Sequence, residues 1–80
     1  MADLDKLYLV DTRTGHDAAL LPMDPVEGFI YVVKDQYGNA SNNYAVVTGA
    51  HPIDGLNNYI LTTDYEAASF TFISDSWYVV

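Results

Sequence analysis

The sequence has no cysteine, three prolines and only three basic residues among its 80 positions. Without cysteine the chain can form neither a disulfide nor a thiolate metal site, so two common sources of stability for small domains are excluded. Chains of this size bury a modest core and often gain stability by oligomerising. The sequence therefore predicts one small folded domain for which self-association is an expected source of stability.

Positive charge is scarce, because Lys6, Arg13 and Lys34 stand against eleven carboxylates and give a formal net charge of −8. Nucleic acids and anionic membranes are bound mainly through Lys and Arg, so both kinds of partner are disfavoured. No apolar run approaches the roughly 20 residues of a membrane span. The start of the chain, MADLDKLYLV, lacks the basic and long apolar regions of a secretory signal. We therefore expect synthesis and folding in the cytoplasm.

Half of the residues are hydrophobic, which excludes disorder caused by low hydrophobicity. Short apolar runs rich in Tyr, Val, Ile, Thr and Phe recur between Gly, Pro, Asn and Asp, a pattern typical of β-strands. No stretch has sustained helical spacing with caps. The fold class predicted is all-β, a small antiparallel β-sandwich or jelly-roll-like barrel. Its strands are predicted at 7–12, 17–21, 28–34, 43–48, 58–63, 67–74 and 76–80.

Turn residues separate these runs. Asp35 followed by Gly38-Asn39 predicts a hairpin-type connection, and Pro52 with Asp54-Gly55 predicts a second one. Two prolines three positions apart make residues 22–28 a surface loop, since neither can lie in a central strand.

Alternation along the strands predicts which side chains face the core. In the run 67–74, Ala68, Phe70 and Phe72 share one face, so this strand is expected to pack chiefly on one side. The run 29–33 has no polar face. It is therefore predicted to be covered on both sides, by the opposing sheet and by a further element such as another subunit.

Residues with catalytic or metal-binding chemistry are few. His16 and His51 lie in no metal-ligand or triad spacing and are interpreted as surface loop histidines. Asp64 and Glu66 share one face of an extended segment and are interpreted as a solvated rim. The segment 35–39 lacks the ligand spacing of a calcium loop. We predict no catalytic residue, no metal ligand and no cofactor, and interpret the sequon at Asn39 as a turn.

Tyrosine is abundant, and its role is open between two interpretations. Tyrosine supplies apolar area with a polar tip, so it suits both a core or subunit interface and a sugar-stacking platform. Packing is favoured here over glycan binding. The residues concerned are Tyr37, Tyr44, Tyr59, Tyr65 and Tyr78.

A series of short motifs follows Gly28 in a fixed order. They are Val33-Lys34-Asp35, Gly38-Asn39-Ala40, Asn42-Asn43, Ile53-Asp54-Gly55, Tyr59 with Leu61, Asp64-Tyr65, Ser74-Asp75 and Trp77-Tyr78-Val79, with HDAALLP upstream. Over roughly residues 7–80 this series resembles a β-structured module of tailed-bacteriophage virion proteins, found in capsid decoration (cement) proteins, head fibres and tail fibres. Two departures are Ala45-Val46-Val47, where the family usually alternates I-T-I, and the turn before Trp77. That turn lacks the family's glycine, which predicts a tighter entry into the last strand.

The resemblance implies a non-enzymatic virion module that is commonly trimeric. Residues 1–6 are then a short N-terminal arm and residues 7–80 a single β-domain. The brevity of the chain favours a capsid decoration protein, a homotrimer that binds the major capsid protein, stabilises the shell and resides on the capsid surface after synthesis in the bacterial cytoplasm. The alternative is a fibre-type host-recognition module that binds cell-surface glycan.

Two groups of residues are predicted to carry these contacts. The candidates for the subunit interface or the core are Phe29, Tyr31, Val33, Tyr59, Phe70, Phe72, Trp77, Tyr78 and Val80. The candidates for the capsid-contact arm are Ala2, Asp3, Leu4, Asp5 and Lys6.

Overall fold

Seven β-strands and no helix make up the part of the chain that the computed structural model describes, residues 6–80. Each predicted run overlaps one strand, so the all-β prediction is confirmed. No helix in this part is long and apolar enough to cross a membrane. The strands are β1 (Lys6–Val10), β2 (Asp17–Leu20), β3 (Ile30–Asp35), β4 (Ala45–Ile53), β5 (Leu56–Leu61), β6 (Ala67–Ile73) and β7 (Ser76–Val79).

The seven strands form one sheet in the order β1-β3-β6-β7-β4-β2, with β5 paired to β4 outside this path. β1 also approaches β2, so the sheet is nearly closed and barrel-like. The pairing is mixed rather than purely antiparallel, because β1 runs parallel to β3 and β2 runs parallel to β4. Parallel neighbours need a long connection, and the chain provides one by passing through an intervening strand each time.

β4 changes partners along its length. Its first half, Ala45 to Thr48, pairs with both β2 and β5, whereas Ile53 pairs with Trp77 of β7. The ladder with β5 is irregular between Thr48 and Ile53. Pro52 lies in this irregular stretch, where a missing N–H interrupts no regular ladder. β4 therefore joins three strands, and its predicted end at residue 48 was five residues too early.

His51 is the residue whose predicted setting changes most with this extension. It lies in β4 and not in a loop, and its half-buried ring is 4.8 Å from the ring of Phe72. The prediction of a loop histidine was wrong because the neighbouring Pro52 suggested a turn rather than a continuing strand.

The connection between β3 and β4 is not a hairpin, so that prediction was wrong. β3 pairs with β1 and β6, while β4 pairs with β2, β5 and β7. Turn residues indicate where a chain bends but not which strands pair, and here the bend carries the chain to another part of the sheet. The predicted turn at Asp54-Gly55 does join paired strands, with φ of 49° and 81°.

The core lies inside the curved sheet. Trp77 is fully buried, with its ring centroid 5.3 Å from that of Tyr31 and 5.2 Å from that of Phe72. The predicted inner face of β6 is confirmed, since Ala68, Phe70 and Phe72 are buried. The run 29–33 is covered on one side only, because Tyr31 and Val33 are buried while Ile30 is 38% exposed. The outward side of β3 has no covering element within residues 6–80.

The tight turn between β6 and β7 offers a stabilising substitution. Ser74 and Asp75 have φ of 51° and 67°, and positive φ at both central positions of a two-residue hairpin favours Asn-Gly. We expect the double substitution Ser74→Asn and Asp75→Gly to raise the free energy of unfolding by about 1 kcal/mol, measured by urea denaturation. Asp24→Gly, which adds glycine to the 22–28 loop, is the control and should not stabilise. An unchanged midpoint for the double variant would contradict this assignment.

Candidate interaction surfaces and their supporting network

A buried carboxylate ties together three loops at one end of the barrel. Asp35 and Thr12 are both fully buried, and the Thr12 hydroxyl donates to Asp35 Oδ1 over 2.6 Å. Asp35 Oδ2 accepts from the backbone N–H groups of Ala40 and Tyr65, at 3.0 and 3.1 Å. Burial raises the pKa of Asp35, but the hydrogen bonds that it accepts outweigh burial and hold the pKa below its ordinary value. The loops 11–16, 36–44 and 62–66, together called the loop end, therefore share one anchor.

Asparagine side chains add a second set of contacts to this anchor. The Thr12 carbonyl accepts from Asn39 Nδ2 at 3.0 Å and from Asn43 Nδ2 at 2.8 Å. Asp64 Oδ1 accepts from the Ser41 N–H at 2.9 Å, which links the second and third loops. Several of the motif residues that follow Gly28 thus have a structural role in holding the loop end.

Neither Thr12 nor the burial of Asp35 was predicted from the sequence. Asp35 was interpreted as the start of a hairpin-type turn that continues to Gly38-Asn39. Strand alternation contained the missing signal, since residues 31, 33 and 35 share a face and Tyr31 and Val33 are buried. An aspartate in phase with two core residues indicates a buried carboxylate that needs hydrogen-bond donors.

Three tyrosines of the loop end are exposed. Tyr65 is 58% exposed, has φ of 61°, and its ring lies against Gly38, where a Cβ would clash with it. The Arg13 guanidinium lies 3.9 Å from the centroid of the Tyr37 ring. The His16 ring stacks on Tyr44 at 3.8 Å. Each ring therefore has a fixed neighbour while remaining partly open to solvent.

A second surface lies on the outward side of β1, β3, β6 and β7. Registers such as Leu7 opposite Val32, and Thr71 opposite both Ile30 and Tyr78, make it contiguous. All its large apolar side chains except the half-buried Val32 are between 38% and 69% exposed. We call it the outer apolar face and define it by Leu7, Leu9, Ile30, Val32, Ile73, Tyr78 and Val80.

Asp and Glu side chains are absent from the outer apolar face, although the chain is strongly acidic. Within residues 6–80, Asp and Glu lie in connections or at the ends of strands, where Asp17 begins β2 and Asp35 ends β3. The one charged side chain on the outward side of these four strands is Lys34, which donates to the Tyr65 carbonyl at 2.6 Å. The exposed area of the apolar side chains is on the order of 500 Å², the upper range for a patch on an ordinary monomer.

The residues predicted for the subunit interface or the core divide between the outer apolar face and the core. Tyr78 and Val80 lie on the outer apolar face, 45% and 69% exposed. Phe29 and Tyr59 are partly buried and pack against the core. The remaining members are buried in the core, namely Tyr31, Val33, Phe70, Phe72 and Trp77.

The predicted arm falls mostly outside the described residues. Ala2, Asp3, Leu4 and Asp5 lie there, so their contacts stay a prediction. Lys6 is the first residue of β1, is exposed and pairs with Tyr31. The described β-structure therefore begins at Lys6, one residue before the predicted domain start.

Other predicted polar residues have local roles. His16 is exposed, as expected, and its Nδ1 lies 3.2 Å from the Tyr44 carbonyl. Glu66 Oε1 accepts from the N–H groups of Thr62 and Thr63, at 2.9 and 3.1 Å. Burial, and then the charge of Glu66, raises the pKa of Tyr59. The Asp64 and Glu66 carboxylates thus hold loop backbone as well as face solvent.

Residues 6–80 contain neither a pocket nor a cluster of three or more His, Cys, Asp or Glu side chains able to hold a metal ion. No model of a known protein family matches the chain, and no curated protein matches it either. Inference about function therefore depends on the surfaces of this chain and on the motifs in its sequence.

Proposed function

We propose that the chain is a non-enzymatic bacteriophage virion structural protein, a capsid decoration protein that assembles as a homotrimer and stabilises the shell. The observation that carries the proposal is the outer apolar face, which is contiguous and free of Asp and Glu on a chain of net charge −8. In this proposal β1-β3-β6-β7 and β2-β4-β5 act as the two layers of a small sandwich or jelly-roll-like barrel.

Electrostatics supports self-association through this face. Two copies that each carry eight excess negative charges repel one another, and contact between their acidic loops adds the cost of removing carboxylates from water. The outer apolar face avoids both costs, because it brings Leu, Ile, Val and Tyr side chains together. Its exposed apolar area, on the order of 500 Å², is somewhat more than half of the roughly 800 Å² that each partner contributes to a standard interface.

The motif series supports the bacteriophage part of the proposal. Asp35, Asn39, Ala40 and Asn43, which belong to that series, meet in one hydrogen-bonded network around Thr12. Trp77, the last motif residue in the core, is fully buried. Residues that specify one fold in this way are the kind that a family of β-modules is expected to share.

The proposed mechanism is non-covalent clamping of the shell. A trimer presents three copies of each shell contact, so individually weak contacts with the major capsid protein combine into stable attachment. Residues 1–6 are proposed to make part of that contact on the capsid surface. The stabilisation resists the pressure of the packaged genome and needs no cofactor.

A single substitution that introduces a charge tests assembly through the outer apolar face. We expect native mass spectrometry to find a trimer, and Ile30→Glu to weaken assembly at least about 30-fold because it places a carboxylate near the centre of the interface. Met23→Glu, at a 70% exposed loop position, is the matched control and should remain trimeric. Far-UV circular dichroism checks that both variants fold. A monomeric wild-type chain would count against the trimer.

The location is tested on virions. Electron microscopy of particles produced with and without this chain should reveal three-lobed density on the capsid only when the chain is present. Particles that lack it should release their genome at a lower temperature. Density on the tail, or no density, would overturn the decoration role.

A second candidate is host recognition through cell-surface glycan, favoured by the exposed Tyr37, Tyr44 and Tyr65 at the loop end. Aromatic rings beside asparagine and hydroxyl groups can stack on and hydrogen-bond to sugars. This candidate predicts binding to an array of bacterial surface glycans, reduced at least about tenfold by Tyr65→Ala. A chain that binds no arrayed glycan rules it out.

A further inference from the structure

β5 is an edge strand without the charged residues or proline that commonly protect such strands. It pairs only with β4 among residues 6–80, and its sequence LNNYIL contains no charged residue and no proline. Soluble proteins normally protect such edges with lysine, proline, bulges or a covering element, because unpaired backbone groups are a template for another strand. The first four residues of β5, counting from Leu56, are exposed or half-exposed. The edge is therefore available for pairing.

The side-chain pattern of β5 is self-complementary. In an antiparallel pair of β5 strands centred on Asn58, Leu56 lies opposite the second copy's Ile60, and Asn57 opposite the second copy's Tyr59. Asn58 lies opposite itself, where two side-chain amides can hydrogen-bond to each other. On the outward side of this pair, each strand then presents Leu56, Asn58 and Ile60, that is, an apolar side chain, an amide and an apolar side chain. Leu56 and Ile60, which are 65% and 43% exposed, gain an apolar partner.

Side-chain matching within β5 selects this register over its neighbours. With Asn58 at the centre, Leu56 and Ile60 face each other and the two amides face each other. A shift that centres the pair on Tyr59 brings Asn58 opposite the second copy's Ile60. A shift to Asn57 brings Asn58 opposite the second copy's Leu56. Each alternative places an amide against an apolar side chain, so both are disfavoured.

We propose that β5 pairs antiparallel with β5 of a second copy, about a two-fold axis through Asn58. This contact lies on strands other than those of the outer apolar face and does not depend on the trimer. On a shell it joins neighbouring trimers, and in that role it rests on the proposed function. A six-residue strand pair is smaller than a standard interface, so the contact is weak alone and becomes effective when many copies are aligned.

Engineered cysteines test both the contact and its register, because the chain has no cysteine of its own. Under mild oxidation, Asn58→Cys should form a disulfide-linked dimer at least about tenfold faster than Asn42→Cys in an exposed loop, since pairing raises the effective concentration of the thiols. Leu56→Cys and Ile60→Cys should each cross-link slowly alone and rapidly when mixed. Directly opposed Cβ atoms, about 4.5–5.5 Å apart, are close to disulfide reach.

Other cross-linking results either contradict the β5 pairing or show whether it is independent of trimer formation. Asn58→Cys that cross-links no faster than Asn42→Cys overturns the pairing, and rapid self-cross-linking of Tyr59→Cys overturns the register. Rapid cross-linking of Asn58→Cys combined with Ile30→Glu supports the pairing independently of the outer apolar face. A wild-type chain that forms no trimer, together with rapid cross-linking of Asn58→Cys, would instead count against the proposed function and in favour of the β5 contact.

Discussion

Deletion of residues 77–80 is expected to leave a chain that no longer unfolds cooperatively. The deletion removes Trp77, which is fully buried between Tyr31 and Phe72, and most of β7. Among residues 6–80, β7 is the only strand that links β6 to β4 in the order of the sheet, so its loss leaves β1, β3 and β6 without strand pairing to β2, β4 and β5. Local repacking cannot restore that link.

The expected cost approaches the whole stability of the domain. Removing a buried tryptophan side chain costs about 3–5 kcal/mol, and small proteins of this length are stable by about 4–12 kcal/mol in total. The lost strand pairing adds to the cost. We expect far-UV circular dichroism of the truncated chain to show no sigmoidal thermal transition.

Two variants distinguish the contribution of Trp77 to stability from that of the end of the chain. Trp77→Ala should lower the free energy of unfolding by about 3–5 kcal/mol, while deletion of the exposed Val80 alone should cost about 1 kcal/mol or less. Urea denaturation measures both. A chain lacking residues 77–80 that still unfolds cooperatively with near-native stability would contradict the role assigned to β7.

Asp35→Asn is expected to be the most damaging change of a single charged residue. The amide has one acceptor atom, so it can accept either from the N–H groups of Ala40 and Tyr65 or from the Thr12 hydroxyl, and the charge that strengthens these bonds is lost. Loss of such charge-assisted hydrogen bonds at a buried site costs roughly 1.5–3 kcal/mol. Denaturation midpoints at pH 7 should show this loss, whereas Asp24→Asn in the 22–28 loop should have little effect.

The effect of Asp35 should depend on pH in a defined direction. Its pKa is lower in the folded than in the unfolded chain, so its contribution is complete above the unfolded value of about 3.9. The contribution is lost as the pH falls through the lower folded value. The gap in stability between the wild type and Asp35→Asn should therefore narrow below pH about 4. A gap that stays constant down to pH 2 would contradict the assignment.

The strands could be predicted from the sequence because their signals are local. Alternation placed Phe70 and Phe72 on one face, and the Asp54-Gly55 turn marked the β4–β5 hairpin. The partners of the strands could not be predicted, because a pattern within β1 or β3 fixes which side faces the core and not which strand lies beside it. Parallel pairing of β1 with β3 depends on contacts across more than 20 residues.

The candidate surfaces were predictable only in part for a related reason. The apolar character of residues 29–33 predicted cover on both sides, whereas within residues 6–80 only the side of Tyr31 and Val33 is buried and Ile30 on the other side is exposed. The hydrogen bond between Thr12 and Asp35 joins residues 23 positions apart, and no local pattern marks Thr12. The exposed edge of β5 follows from topology, since nothing in a strand's own sequence fixes whether it lies at an edge of the sheet.

The place of β7 in the sheet determines when the barrel can close during synthesis. The amino terminus of a chain leaves the ribosome first, so β7 emerges after the other six strands. It also emerges after Tyr31 and Phe72, the main partners of Trp77 in the core. Until then β6 and β4 lack the strand that joins them, and the aromatic rings of the core lack Trp77. Closure is therefore a late event that begins only once Trp77 has left the ribosome.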